Sequence, residues 1–306
     1  MQTIPDCTIC LLKQYLRISR LCGIEEEMLS DNFYLMLSRL SDTLRDMSPP
    51  EAAAYFTKQI ADVSGITDPY YEIKRASNKA AMKHYPMLKN RVSSSSNTFA
   101  EALSLAIAGN LIDFGAKENL DLSEALDEIL NQPLFLQLEN GEIANSELFM
   151  FNEFYNELAS AENILYLGDN AGEIVFDRIF IETILSEFPD KKISFVVRGG
   201  PALNDVLIED AIETGLSEIV NVISSGAQTA GTVMNQCSED FIKKLMNADM
   251  VISKGQGNYE SLCDEDISSI WFLFRIKCPM VSRHAGGPEG TLVLKKIKQL
   301  VSADAI

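Results

Sequence analysis

The stretch Ile164-Leu-Tyr-Leu-Gly-Asp-Asn-Ala-Gly-Glu173, with the apolar segment that follows it, decides the reading of the fold. Four apolar residues closed by a Gly-rich polar turn read as a buried strand. Beyond the turn, apolar residues recur at 174, 175, 179, 180, 184, 185 and 188, the spacing of a helical face. Strand, tight turn and helix are the opening half of a βαβ unit. The pattern then repeats. Ile193-Ser-Phe-Val-Val197 is β-branched and runs into Arg198-Gly-Gly-Pro201, and a helical segment spans 206–214. Residues 219–223 read as a third strand ending in Ser224-Ser-Gly226, and 241–246 as a helix. Met250-Val-Ile252 is a fourth strand ending in Ser253-Lys-Gly-Gln-Gly-Asn258, and Pro279-Met-Val-Ser282 is assigned as a fifth. Such alternation predicts right-handed crossovers and an α/β fold: a Rossmann-like, mostly parallel sheet with helices on both faces.

The first half of the chain reads helical. Cys10, Leu11, Leu12, Tyr15, Leu16, Ile18, Leu21 and Cys22 recur near the helical period. Pro49-Pro50 before Glu51-Ala-Ala-Ala54 marks a helix start, and Asp68-Pro69 opens another helix that is expected to end near His84-Tyr-Pro86. Residues 99–107 form an apolar helix stopped at Gly109, and 121–130 a further one, while Ser93-Ser-Ser-Ser96 reads as a loop. The expected organisation is a helical domain, 1–155, covering the active-site cleft, and an α/β metal- and phosphate-binding domain, 156–306.

Composition narrows the function classes. The 306 residues are 46% hydrophobic with a mean hydropathy of +0.02, enough for a sizeable core. The 26 basic against 44 acidic residues leave a net charge of −18, which argues against a nucleic-acid partner. No polybasic segment points to a membrane surface, and no apolar run approaches the ~18 residues of a membrane helix. Met1-Gln-Thr-Ile-Pro-Asp-Cys7 has neither a basic start nor an apolar h-region, so a cytoplasmic protein is expected. The six cysteines (7, 10, 22, 237, 263 and 278) fit free thiols in a reducing compartment. Cys7-x-x-Cys10 has no second pair; packing at a helix start and metal or redox use both stay open. Residues 92–150 carry ten acids and one base, Lys117, which reads as a solvated acidic face. His84 and His284 have no visible triad partners, and there is no Walker A loop, no Gly-x-Ser-x-Gly elbow and no complete dinucleotide fingerprint.

Ligands of open α/β sheets bind outside the carboxyl ends of the strands. Every polar Gly-rich cluster named above follows a strand. Asp169-Asn170 follows the first, Asn204-Asp205 lies beyond the second, Ser224-Ser-Gly226 follows the third and Lys254-Gly-Gln-Gly-Asn258 the fourth. Neighbouring strands would bring two carboxylates, amides and one ammonium to one edge. Carboxylates with an amide carbonyl make a hard oxygen site suited to Mg²⁺ or Mn²⁺. Lys254 among glycines, Gly255 included, suits a phosphate oxygen, and the helix starting near Glu173 can add its N–H groups. Each residue also has a purely structural reading. Asp169 and Asp205 fit as helix caps, Glu173 as first-turn support, Lys254 as a surface lysine and Gly255-Gln-Gly257 as a tight turn.

Taken in order, Gly168-Asp-Asn-Ala-Gly-Glu173, Arg198-Gly-Gly-Pro-Ala-Leu-Asn-Asp205 and Ser253-Lys-Gly-Gln-Gly-Asn258 resemble the damage-control phosphatase family, formerly catalogued as domain of unknown function eighty-nine. Pro5-Asp-Cys-Thr-Ile-Cys10 resembles the paired cysteines of its prokaryotic subgroup, and Asp68-Pro-Tyr-Tyr-Glu-Ile-Lys74 and Ala108-Gly-Asn-Leu-Ile-Asp-Phe-Gly115 look like further family blocks. The resemblance covers residues 5 to about 295. It implies metal-dependent hydrolysis of phosphate esters of small metabolites, with Mn²⁺, Mg²⁺, Co²⁺ or Ni²⁺ as cofactor. It implies Asp169, Asn170 and Asp205 as metal ligands and Lys254 as the phosphate-binding lysine. It places Asn110 and Asp113 along the site, where pattern alone reads Asn110 as a helix C-cap beside Gly109. Glu173 lies nearby. The Arg-Thr-x-Lys motif of eukaryotic sugar-phosphate members is absent. A carboxylate, Asp169 or Asp113, is the candidate base or nucleophile. Two alternatives stand beside the phosphatase: an S-adenosylmethionine-dependent carboxyl methyltransferase, for which a Gly-x-Gly-x-Gly loop after the first strand is missing, and a non-catalytic phosphometabolite-binding module.

Overall fold

Helices dominate the first hundred residues and alternate with strands thereafter. The structure, a computed structural model, describes residues 1–43, 47–111, 129, 131, 145–267 and 269–296. Helices α1 (Pro5–Leu21), α2 (Glu26–Thr43), α3 (Pro49–Ser64), α4 (Tyr71–Ser94) and α5 (Thr98–Leu111) come first. Then follow β1 (Asn145–Ser146), β2 (Phe149–Met150), α6 (Phe151–Ser160), β3 (Asn163–Leu167), α7 (Glu173–Glu187), β4 (Lys192–Val197), α8 (Ile208–Glu213) and β5 (Asn221–Ser224). The described part closes with α9 (Glu239–Met246), β6 (Met250–Lys254), α10 (Gln256–Leu262), β7 (Ile270–Arg275), α11 (Pro279–Ala285) and β8 (Leu292–Lys296).

The eight strands form one sheet in the order β1-β2-β8-β7-β6-β3-β4-β5. Strands β7, β6, β3, β4 and β5 are parallel to their neighbours, and β8 runs antiparallel to β7. From β3 the chain steps outward to β4 and β5, then crosses back to β6 on the other side of β3. That reversal opens a crevice at the carboxyl ends of β3 and β6, where ligands of such sheets bind.

Side chains alternate across the sheet. Tyr166, Phe195, Ile252 and Trp271 face a core closed by α5, α6 and α7. Leu165, Val196, Val251 and Phe272 face the opposite core, with Phe241 of α9, Leu262 of α10 and Val281 of α11. Helix α5 therefore shares a core with the second half of the chain. It lies along α7 so closely that a Cβ on Gly109 would sit 2.9 Å from Phe176 Cγ. Helices α1–α3 pack a third cluster around Tyr15, Ile18, Phe56 and Ile60. Among the described residues no helix is long and apolar enough to cross a membrane.

Several elements differ from the sequence reading. Pro279-Met-Val-Ser282 is not a strand but the start of α11, because Pro279 takes the first helical position, where no N–H is needed, and Gly286 closes the helix at φ +83°. The fifth parallel strand is β7, whose unbroken run Trp271-Phe-Leu-Phe274 is buried on both faces and shows no period to read. Helix α4 runs through Pro86 to Ser94. A proline inside a helix costs about 3 kcal/mol, but Pro86 is exposed, and Tyr85 Oη and Lys89 Nζ on either side bind Glu182 of α7 at 2.6 and 2.5 Å. Helix α5 likewise continues past Gly109. The helix expected over 121–130 lies, except for residue 129, outside the described residues, as does most of the acidic stretch.

Candidate active site

The turn after β3 is fastened to the turn after β4 by backbone pairing. Val206 N–H donates to Asp169 O (2.9 Å), Ala171 N–H donates to Asn204 O (2.9 Å), and Asn170 pairs with Asp205 as an isolated antiparallel bridge. The backbones of Asp169, Asn170 and Asp205 thus meet at the crevice. The turn after β6 closes on them from the other side. Gly255 has φ +80°, and a Cβ there would lie 2.0 Å from Asp169 Oδ2, so only glycine lets this backbone back onto the carboxylate.

Asn110, on the last turn of α5, reaches the same place. Its Nδ2 donates to Asp169 Oδ2 (3.0 Å) and to Glu173 Oε2 (2.8 Å). Asn170 Nδ2 repeats the bridge, at 2.6 Å to Asp169 Oδ2 and 3.1 Å to Glu173 Oε2. Two carboxylates thus share the same two amide donors. Asn110 therefore does more than end a helix.

Lys254 is fully buried below them. Its ammonium lies 2.7 Å from Glu173 Oε1 and 2.5 Å from Asp177 Oδ1, and donates to Ala106 O at 3.0 Å. Two of its N–H bonds are thereby engaged, by Asp177 and Ala106, and Glu173 is its ion-pair neighbour. Lys254 thus balances the charges of Glu173 and Asp177. Asp177 also accepts from Tyr166 Oη (2.6 Å). A second buried cation supports Asp205: Arg198 Nε donates to its Oδ2 at 2.7 Å and Nη1 to Thr232 at 3.1 Å. Thr232 passes the network to Asn258, whose amide holds Gly168 O and Lys254 O. Asn78 on α4 accepts from Gly172 N–H at 2.7 Å, orienting the first turn of α7.

Electrostatics follow from this burial. Burial, then the charges of Glu173 and Asp205, push the Asp169 carboxyl up to about 8. Burial raises Asp205 and Asp177 to about 6 each, against the pull of Arg198 and Lys254 respectively. Burial disfavours the Lys254 ammonium, but Asp177 and Glu173 more than compensate and hold its pKa above the ordinary value.

Asn110, Asn170 and Glu173 line a cleft of about 690 Å³, walled by Tyr70 and Ile73 near the start of α4 and by Leu203. Leu203 adopts φ +51°, a left-handed conformation that costs a leucine about 1–2 kcal/mol. A larger hollow, about 800 Å³ between α4, α6 and α7, contains none of the site residues. His284 bonds to Tyr259 Oη (2.8 Å) and lies 3.5 Å from Asp264, away from the cleft. There Cys263, Asp264 and His284 bring one donor atom each within 4.8 Å of one another.

Of the expected site residues, Asp169, Asn170, Glu173, Asp205, Asn110, Lys254 and Gly255 assemble, while Asp113 lies outside the described residues. Asp177, Arg198 and Asn78 were not expected to take part. Asp177 was findable as a charge on the buried face of an apolar helix, four residues after Glu173. Asn78 carries no local signal.

The donor set fits a divalent cation. Asp169 and Glu173 are buried acids held together by amide donors that supply positive charge between them. Asn110 Oδ1 is a buried acceptor with no partner. All of these are hard oxygen ligands.

Residues 3–293 match the family described as damage-control phosphatase ARMT1-like domain. The chain belongs to this family. It is 31% identical to a damage-control phosphatase of Pyrococcus horikoshii, over 97% of this chain and 99% of that protein. It is 30% identical to a damage-control phosphatase of Archaeoglobus fulgidus, over 97% and 100%. It is 33% identical to an uncharacterized protein of Methanocaldococcus jannaschii, over 95% and 94%. The crystal structure of a DUF89 family protein from Pyrococcus horikoshii superposes with a TM-score of 0.86 at 30% identity, covering 97% of this chain and 100% of that one.

Proposed function

We propose that this damage-control phosphatase family member hydrolyses phosphomonoesters of small metabolites with the help of a divalent cation. The observation that carries the reading is the pair Asp169 and Glu173, joined by Asn110 and Asn170 at the β3/β6 crevice, with the backbone of Asp205 paired to Asn170. The names of the relatives from Pyrococcus horikoshii and Archaeoglobus fulgidus agree with it.

Asp169, Asn170 and Asp205 would hold Mn²⁺, Mg²⁺, Co²⁺ or Ni²⁺, with Asn110 Oδ1 and Glu173 beside them. When bound, such an ion supplies positive charge to phosphoryl oxygens and lowers the pKa of a water. The chain's own residues do the rest. Gly255 fixes the Asp169 carboxylate against the β6 turn. Lys254 neutralises Glu173 and Asp177, so that the floor does not repel an anionic ester outright. The carboxylate that receives the water proton, or attacks phosphorus itself, is Asp169 or Asp113 in this reading. Tyr70 and Ile73 offer a surface to the organic part.

The test is phosphate release from a panel of phosphorylated metabolites, with each of the four ions supplied in turn. Release that stops with chelator supports the reading. No release with any ion refutes it and leaves the non-catalytic binding module, while calorimetric binding of S-adenosylmethionine would favour the methyltransferase.

A further inference from the structure

Among the described residues, the cleft carries cations with no ion-pair partner. Arg17 on α1, Arg275 at the end of β7 and Lys277 just beyond it all line the cleft and are exposed. In extended chain, residues two apart share a side, so Arg275 and Lys277 flank the buried Ile276 and reach the same space. Arg17 stands one turn after Gln14, which lines the same wall.

The significant feature is what these cations lack. Every other arginine whose side chain is described sits within 3.8 Å of a carboxylate, from the exposed Arg20–Glu26 pair at 3.0 Å to the buried Arg198–Asp205 pair at 2.7 Å. Among the described residues Arg17 and Arg275 alone are arginines without such a partner, and both belong to one cleft. With 44 acids against 26 bases in the chain, carboxylates are in surplus, so chance would pair these arginines too. Among the described lining residues the acids are Glu173 and Glu289, against Arg17, Arg275 and Lys277. The floor below, by contrast, is acidic. Guanidinium groups match the planar oxygens of phosphate and carboxylate.

We infer that the cleft selects phosphomonoesters bearing a second anionic group on their organic part, held by Arg17 and Arg275 with Lys277 in the same cleft. This rests on the phosphatase reading for the fate of the first phosphate. The second group is a further phosphate or a carboxylate, since both present oxygens to a guanidinium. A cleft of about 690 Å³ suits a small metabolite with charges at both ends.

Matched probes test this: propane-1,3-diol monophosphate against its bisphosphate, and glycerol 3-phosphate against 3-phosphoglycerate. Two readouts are taken, calorimetric binding and kcat/KM for phosphate release. The expected result is a preference of about tenfold or more for the doubly anionic member of at least one pair, a factor typical of one good charge-assisted contact. The preference should shrink as salt is raised. Which pair shows it tells phosphate from carboxylate. In Arg17→Gln, Arg275→Gln and the double variant the ratio within the pair should fall stepwise toward one, while Arg20→Gln, on the same helix but outside the cleft, keeps it. Equal binding of both members, or a ratio that the double variant leaves intact, overturns the inference. Binding decides this even without turnover. Selective binding with no phosphate release under any ion would overturn the phosphatase reading and leave the selectivity standing.

Discussion

The three-helix cluster of α1–α3 and the carboxyl edge of the sheet are both buried, but by opposite means. The cluster hides Tyr15, Ile18, Phe56 and Ile60 and leaves its Arg20–Glu26 pair in solvent. Each such apolar side chain contributes about 1.5–3 kcal/mol by leaving water. The sheet edge instead hides Asp169, Glu173, Asp177, Asp205, Arg198 and Lys254. Burying charge is unfavourable unless it is paired, and replacing a buried pair by apolar residues often stabilises a protein. The edge is therefore not arranged for stability, and buried clusters of perturbed carboxylates are where chemistry is found.

The comparison can be broken first at Lys254. Lys254→Met leaves Glu173 and Asp177 buried without their cation, and a loss of about 3–5 kcal/mol in urea unfolding is expected. Adding Asp177→Asn should recover part of it. No loss in the single variant would mean that the charges are not truly buried.

Next comes Gly255→Ala. Its backbone, φ +80° and ψ 159°, is open essentially to glycine alone, at about 1–3 kcal/mol for any other residue. The new Cβ would also displace Asp169. Stability should fall by that amount and phosphate release should fall further than stability explains. In the helical cluster, Ile60→Val should cost about 1 kcal/mol and leave kcat untouched; a change in kcat would show that the two regions are coupled.

A pH series sharpens the contrast. Asp residues titrate near about 3.9 in the unfolded chain, whereas Asp169 is pushed up to about 8 and Asp205 and Asp177 to about 6. Between these values the folded protein keeps protons that the unfolded chain has released, so stability falls as pH rises. In chelator, Tm should be lower at pH 8 than at pH 5, the steepest part lying below pH 6 where all three groups contribute. Asp169→Asn should flatten the slope between pH 6 and 8. A Tm that rises across this range would contradict the account. Arg20→Gln should be nearly silent, within about 0.5 kcal/mol.

Much of this was legible before the structure. The period of 164–188 and its repeats carry the parallel sheet, because apolar spacing encodes which faces are covered. The placement of polar turns after strands carries the site, because topology sends those turns to one edge. What escaped did so for physical reasons. Strand β7 is apolar on both faces and shows no alternation. Proline at 279 starts a helix, and proline at 86 is overridden by contacts to Glu182 on both sides. Lys254 reads as a phosphate grip among glycines, and only three-dimensional packing shows its ion pairs with Glu173 and Asp177. The close approach of α5 through Gly109, which delivers Asn110, depends on Phe176 across the interface and leaves no local mark.

The central claim is that Asp169 and Asp205, gathered with Asn170 at the crevice, carry cation-dependent hydrolysis. Its most direct test is phosphate release by the purified protein and by Asp169→Ala and Asp205→Ala, with Mn²⁺, Mg²⁺, Co²⁺ or Ni²⁺ supplied and then chelated, folding being checked by circular dichroism. The account predicts release that requires the ion and disappears in both folded variants. Folded variants that release phosphate at the wild-type rate would contradict it.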